Sequence, residues 1–217
     1  MTKSLSGYRF WVFISACLMV GNALRAEVLS ISHRGASGEY PENTLVAFSA
    51  AMPVTQYQEF DVYPSGDGVL VVIHDATVDR TTDGTGSVAS KTVAELKTLD
   101  AGSWKHPDFA GERIPTLAET INHMLPQCTP LIERKGGTAN QYVSELQALG
   151  VTSNVVLKAF DWNFVGDVHA LDPDIELGAL GSGTLSQSQL DTILSKGAHI
   201  VSWAAGSVSA ATVDLVH

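Results

Sequence analysis

The 217-residue sequence predicts an α/β protein built as a β/α barrel of the TIM type. From residue 27 onward, short apolar runs typical of buried strands alternate with segments whose apolar residues recur at helical spacing. Such alternation indicates a parallel sheet, and the number of strand–helix units favours a barrel. A doubly wound sheet is the alternative, but no glycine-rich dinucleotide-binding motif follows the first strand.

Six apolar runs are predicted as barrel strands. They cover residues 28–32, 58–62, 130–133, 155–160, 175–180 and 199–203. A further run, 69–73, follows the second strand after only a short connection, which allows an antiparallel hairpin but no parallel pairing. A closed barrel of this type has eight strands, so the predicted barrel ends before its last two. Because an open barrel leaves unpaired strand edges, we expect the chain as given to fold poorly.

Two of the predicted helices begin at capping boxes, at Thr92 to Glu95 and at Thr116 to Glu119. The stretch 75–115, which contains the first of them, is polar and rich in turn-forming residues. Further helices are predicted at 141–149, 164–171 and 190–196 from the spacing of their apolar residues, and Gly197 ends the last one.

The N-terminal segment, 1–26, has the pattern of a secretory signal peptide. Lys3 and Arg9 precede an apolar run at 10–20, and small residues follow, so that cleavage after Ala23 or Ala26 is expected. The run is shorter than the ~20 residues that span a bilayer. We therefore expect an exported, periplasmic or extracellular protein with one domain, 27–217. A buried N-terminal helix and a lipoprotein anchor at Cys17 are the alternatives.

The net charge limits the possible partners. The chain has 13 Lys and Arg residues against 23 Asp and Glu residues, for a formal charge of −10. Binding a nucleic-acid backbone requires a basic face, so no nucleic-acid partner is expected. A small anionic substrate remains possible where a metal ion or a few local cations offset the negative charge.

Reactive side chains gather at the predicted carboxyl ends of the strands. In a β/α barrel these ends form one mouth, where catalytic groups meet. So many polar side chains in one cavity are costly to desolvate unless a ligand or metal organises them. The side chains concerned are His33, Arg34, Glu59, Asp61, His74, Glu133 and Lys135.

The order of several short motifs resembles that of the glycerophosphodiester phosphodiesterase family. Each motif alone is weak, but together they span residues 32–135 at close to the usual spacing. The motifs are His33-Arg34-Gly35, Pro41-Glu42-Asn43-Thr44, Glu59-Phe60-Asp61-Val62, His74-Asp75, Asp79-Arg80-Thr81-Thr82, Ile114-Pro115-Thr116-Leu117 and Glu133-Arg134-Lys135.

The resemblance implies hydrolysis of small-molecule glycerophosphodiesters to glycerol 3-phosphate and an alcohol, with membranes only as the source of lipid-derived substrates. It also implies that the stretch 75–115 is an insertion after the second strand. It further implies a divalent cation, and carboxylate ligands suit Ca²⁺ or Mg²⁺. Imidazole exchanges protons near neutral pH, and arginine and lysine contact phosphate oxygens. The implied roles are general acid and base for His33 and His74, phosphate or substrate binding for Arg34, Lys135 and Glu42, and metal binding for Glu59, Asp61 and Glu133.

Several alternatives remain open at this point. Glu42 could instead place a negative charge at the start of the following helix. The family's last strands, one of which carries Trp-Thr-x-Asn, have no counterpart here, and Trp203 is not taken as that tryptophan. A phospholipase D-like or lysophospholipid-cleaving enzyme on the same scaffold, or a catalytically silent binding protein, would keep the same motifs. The gap leads us to expect little turnover from the chain as given, although cation binding could persist.

Overall fold

The computed structural model describes residues 29–216, so the predicted signal peptide and Cys17 lie outside the described residues. Six parallel strands form one curved sheet with helices between them. The strands are β1 (Ile31–His33), β2 (Tyr57–Pro64), β4 (Thr129–Arg134), β5 (Val156–Ala159), β6 (Glu176–Gly181) and β7 (Ile200–Trp203), in the order β1-β2-β4-β5-β6-β7. Consecutive units lie side by side, which is the arrangement of a β/α barrel. In the described part of the chain, β1 and β7 each pair with one parallel neighbour.

The seven α-helices of the described residues are mostly short. They are α1 (Leu45–Ala51), α2 (Val93–Leu96), α3 (Leu117–Met124), α4 (Ala139–Leu149), α5 (Trp162–Leu171), α6 (Gln187–Ser195) and α7 (Ala210–Val216). None of the helices in residues 29–216 is both long and apolar enough to cross a membrane.

The main core lies between the outer face of the sheet and the helices. Phe48 of α1 contacts Phe60 of β2 edge to face, with ring centroids 5.8 Å apart, and Tyr142 of α4 contacts Phe164 of α5 at 5.4 Å. All four rings are buried. The Tyr142 hydroxyl lies 2.9 Å from the carbonyl oxygen of Gly136 and 3.1 Å from that of Val62, so its single proton has an acceptor inside the core. These contacts fix β2 and the loop after β4, the two segments that carry most of the polar cluster.

The predicted hairpin is confirmed. The strand β3 (Leu70–Val72) pairs antiparallel with β2, and Val62 is opposite Val72. The insertion that follows has its own small core, which includes Val71, Val78, Val88, Leu96 and Ile114. Its backbone returns to the sheet through a bridge between Val71 and Thr116. The insertion is therefore packed on β3 and held close to the carboxyl end of β2.

The caps explain where the predicted helices begin. Both predicted capping boxes are present, at Thr92 with Glu95 and at Thr116 with Glu119. Two further boxes, Thr138 with Gln141 and Ser186 with Gln189, start α4 and α6 two and three residues before the predicted positions. In those boxes glutamine takes the place of glutamate. The first strand begins at Ile31 instead of residue 28, and β5 ends at Ala159, which leaves Phe160 exposed.

Candidate active site

Three buried carboxylates form the centre of the candidate site. Glu59 and Asp61 extend from the same face of β2, and Glu133 of β4 is the register partner of Asp61. One carboxylate oxygen from each residue lies within 4.8 Å of those of the other two. Glu59, Asp61 and Glu133 are only 3%, 1% and 7% exposed. The parallel pairing of β2 with β4 thus brings together acidic residues that are far apart in sequence.

The chemistry of these carboxylates fits a divalent cation. One oxygen of each residue, Glu59 Oε1, Asp61 Oδ1 and Glu133 Oε1, is buried and accepts no hydrogen bond of good geometry from the described residues. Buried polar oxygens usually have a partner, because desolvation without one is costly. Three such oxygens in one group are a set of hard ligands of the kind that Ca²⁺ and Mg²⁺ prefer. We conclude that the described residues could hold such an ion.

Two lysines approach the carboxylates. Lys135 Nζ is 2.6 Å from Glu133 Oε1 and 3.3 Å from Asp61 Oδ1. Lys158 Nζ is 3.4 Å from Glu59 Oε1 and 3.9 Å from Glu133 Oε2. Burial, with repulsion from Asp61 and Glu133, raises the pKa of Glu59 to about 7, although the Lys158 ammonium acts in the opposite direction. The carboxylates are therefore close enough to resist ionisation together.

Arg34 is held over the cluster by an unusual backbone. Its φ of 61° lies in the left-handed region, and Gly35 follows with φ 74°. A side chain at Gly35 would place a Cβ only 2.7 Å from the backbone of Ala47, so this tight turn requires glycine. The Arg34 side chain then lies 3.1 Å from Asp61 Oδ2 through Nε and donates to Glu42 Oε1 at 3.0 Å through Nη1.

His33 lies at the edge of the same cluster. Its Nε2 is 3.9 Å from Glu59 Oε2, and its side chain is 68% exposed, so a substrate could reach the imidazole. Partial burial lowers the pKa of His33, as does the positive charge of Arg34, while Asp61 acts in the opposite direction. The neutral form of His33 is therefore favoured at neutral pH.

His74 belongs to a second, more exposed group of charges. Its Nδ1 is 2.6 Å from Asp75 Oδ1, and Arg80 donates to both oxygens of Asp75. Arg80 also donates to both oxygens of Glu42, each at 2.9 Å. Because Glu42 accepts from Arg34 as well, a continuous chain of ion pairs joins His74 to the buried cluster.

The pKa shifts in this second group follow from Arg80. Its hydrogen bond lowers the pKa of Asp75 to about 2, and the hydrogen bond from His74 contributes in the same direction. Burial alone would raise the pKa of Glu42, but the hydrogen bonds from Arg80 and Arg34 outweigh burial and lower it. Both carboxylates thus remain ionised at neutral pH, and Glu42 is more than a charge at the start of a helix.

A cavity of about 410 Å³ opens beside the buried cluster. His33, Glu59, Glu133 and Lys158 supply its polar wall. The rest of the wall is mostly apolar and includes Leu180, Phe160 and Trp203. A separate, smaller cleft contains His74 together with Glu42, Asn43 and Thr81. Each histidine thus lines a different cavity.

The structure brings the predicted site residues into one region but adds others to it. Seven of the eight, all except His74, lie in the ion-pair group around the three carboxylates, and Arg80 links His74 to that group. Four residues of this region were not among the predicted site residues: Lys158, Asp75, Arg80 and Asn43. Asn43 Nδ2 donates to Asp61 Oδ2 at 3.0 Å. Three of these residues lie within the motifs that carry the resemblance. For Lys158, the available signal was the single charge in the apolar run 155–160.

Residues 33–216 match the glycerophosphoryl diester phosphodiesterase family. This chain belongs to that family. The match includes every predicted site residue, and it extends well beyond residue 135, where the recognisable motifs of the sequence end.

Individual relatives agree with this assignment. A glycerophosphodiester phosphodiesterase of Bacillus subtilis is 32% identical over 212 residues, which cover 88% of this chain and 72% of the relative. One from Caldanaerobacter subterraneus is 38% identical over 162 residues, with coverage of 71% and 67%. The solved structure of an Oleispira antarctica phosphodiesterase, in complex with sn-glycerol-3-phosphate, has a TM-score of 0.79, 29% identity and coverage of 87% and 80%. The β/α-barrel fold class is therefore confirmed.

Proposed function

We propose that this protein hydrolyses glycerophosphodiesters to glycerol 3-phosphate and an alcohol, with a divalent cation held by Glu59, Asp61 and Glu133. One observation carries the proposal. A member of the glycerophosphoryl diester phosphodiesterase family keeps three buried, mutually close carboxylates, a set of hard oxygen ligands that suits a divalent cation. The Oleispira antarctica relative binds sn-glycerol-3-phosphate, which supports the same product here.

The residues of this chain would divide the chemistry as follows. A bound divalent cation would polarise the phosphoryl oxygens and neutralise negative charge that develops during hydrolysis. Arg34 and Lys135 lie beside the carboxylates with cationic groups that can bind non-bridging phosphate oxygens. Each of these two side chains is 18% exposed, so their charges act where water screens them little.

Hydrolysis needs one proton removed from water and one given to the leaving alcohol. The oxygen of water forms the new bond to phosphorus, and the bond between phosphorus and the alcohol oxygen breaks. We assign these two proton transfers to His33 and His74, one as base and the other as acid. For His74, the hydrogen bond from Nδ1 to Asp75 leaves Nε2 available to the substrate and fixes the ring orientation.

The test measures release of glycerol 3-phosphate from glycerophosphocholine by the purified chain. Exhaustive chelation is expected to abolish the reaction, and added Mg²⁺ or Ca²⁺ to restore it. Cation binding is measured by calorimetry on the same sample, so that binding and turnover can be compared directly. Cation binding without any turnover would favour the silent binding protein, whereas full activity after chelation would remove the cation from the mechanism.

A second substrate class is favoured by one observation. The cavity beside the carboxylates has a mostly apolar wall, which includes Leu180 and Phe160. Such a wall could hold an apolar part of a substrate, as in a lysophospholipid. Comparing kcat/KM for lysophosphatidylcholine with that for glycerophosphocholine separates the two classes, because the phosphoryl chemistry is the same in both. Export and lipoprotein processing remain predictions from the N-terminal segment of the sequence.

A further inference from the structure

We propose that Lys158 sets the affinity of the acidic cluster for its divalent cation, because its ammonium group competes with the cation for the same carboxylates. This inference rests on the proposed function in one respect, that Glu59, Asp61 and Glu133 are the cation ligands. It assigns to Lys158 the role of a resident positive charge that keeps the binding of the cation weak and reversible.

The position of Lys158 supports this role. Lys158 on β5 is the register partner of Glu133 on β4, so the two side chains extend from neighbouring positions of the sheet. The ammonium group is 3.4 Å from Glu59 Oε1, which is one of the three buried oxygens without a hydrogen bond of good geometry. The carboxylate oxygen that the cation needs is therefore the one that Lys158 already faces.

The surroundings of Lys158 keep its charge in place. The residue lies within β5 and its side chain is only 11% exposed, so the ammonium group cannot simply turn into solvent. Gly178, its register partner on β6, leaves room for its stem, because a Cβ at that position would lie 3.1 Å from the Cβ of Lys158. Lys135 differs, since it follows β4 in a loop and contacts Asp61 and Glu133 instead.

The charges around the three carboxylates explain how Lys158 opposes cation binding. The three carboxylates face the positive charges of Arg34, Lys135 and Lys158, each of which forms an ion pair with at least one of them. Arg34 also pairs with Glu42. These cations already offset the negative charge of the carboxylates before a divalent cation binds, and the ion must enter against the buried positive charge of Lys158. Repulsion between a unit charge and a divalent charge a few ångströms apart is large enough to change the affinity by at least tenfold.

The experiment titrates Ca²⁺ into the metal-free full chain by calorimetry. Lys158→Met removes the charge and keeps most of the apolar stem, and we expect its Kd for Ca²⁺ to be at least ~10-fold lower than that of the wild type. Lys158→Arg keeps the charge and should bind as the wild type does. Lys196→Met is the matched control, because Lys196 Nζ donates to Asn163 in an exposed contact. It removes one lysine charge without changing the cluster.

Each outcome has a defined meaning. An unchanged or weaker Ca²⁺ affinity in Lys158→Met overturns the proposal, provided that Glu133→Gln loses affinity. If Glu133→Gln binds Ca²⁺ as tightly as the wild type, the cation site of the proposed function is itself wrong. Should Lys158→Met be unstable, Lys158→Gln is compared by the rise in melting temperature that saturating Ca²⁺ produces. A rise no larger than that of the wild type also overturns the proposal.

Discussion

The site contains two groups of alternating charges that differ in burial. Around Glu59, Asp61 and Glu133 the side chains project from strands and are almost fully buried, whereas Asp75 and Arg80 lie in the insertion and are 31% and 44% exposed. In the buried group, carboxylate oxygens remain without good hydrogen bonds. In the exposed group, Arg80 satisfies both of its carboxylate partners. The buried group thus supplies oxygen ligands for a cation. In the exposed group, Arg80 holds Asp75, and through it His74, in a fixed orientation.

The largest effect on activity is expected from Glu133→Gln, a change in the buried group. The change keeps the volume of the side chain and removes the charge of one proposed ligand, while Lys135 and Lys158 remain beside it. A catalytic cation contributes several kcal/mol, so kcat/KM at limiting Ca²⁺ should fall roughly 10³-fold. Glu119→Gln, in an exposed capping box that also pairs with Lys97, is the matched control and should be unaffected. Equal rates for both variants would contradict the assignment of Glu133 as a cation ligand.

The second prediction concerns the two histidines, one beside each group. Replacing His33 or His74 with alanine should lower kcat by at least ~10²-fold, because each is assigned a proton transfer. His106→Ala is the control, since His106 is exposed and its ring lies beside Asp108 and Phe109 of the insertion. Steady-state rates measure the effect, and calorimetry shows whether cation binding is kept. Near-normal turnover in His74→Ala would remove the exposed group from the reaction.

The third prediction distinguishes a role of Arg80 in orienting His74 from a role in the stability of the fold. Arg80→Gln breaks the link between Asp75 and Glu42, and we expect kcat to fall about tenfold while His74 loses its fixed orientation. Arg80→Lys should rescue only part of the rate, because one ammonium cannot form both two-pronged contacts. The free energy of unfolding in urea should change by less than ~1 kcal/mol, as expected for exposed ion pairs. A loss of several kcal/mol would mean that Arg80 supports the fold and not the site.

The smallest effect is expected in the pH dependence of the free energy of unfolding. In the folded protein the pKa of Asp75 is about 2 and that of Glu42 is lowered, against reference values near 4 in unfolded chains. Depressed carboxyl pKa values stabilise the fold above pH ~4, and this contribution is lost as the pH falls toward 2. The stability difference between wild type and Arg80→Gln should therefore shrink as the pH falls from about 5 to about 2, measured by urea unfolding at each pH. A difference that grows on acidification would contradict these signs.

Much of the fold was predictable because its signals are local. Apolar runs, the short hairpin connection and the two Thr…Glu capping boxes indicate strands and helices through interactions over a few residues, and all are confirmed. The helices α4 and α6 begin before their predicted positions, because each starts at a capping box in which glutamine replaces glutamate. The end of β5 was placed one residue too far, since an apolar residue such as Phe160 gives no local sign of exposure.

The sequence by itself determined the family and the order of the strands, and it predicted most of the residues that meet at the candidate site, because motifs and periodicity can be recognised without knowledge of contacts. Only the tertiary structure decided which charges meet. Strand register sets Lys158 beside Glu133, and the packing of the insertion brings Arg80 to Glu42, across 38 positions of sequence. Such pairings depend on how β-strands align and loops fold back. Their energies arise from burial and distance, which no single segment of sequence contains.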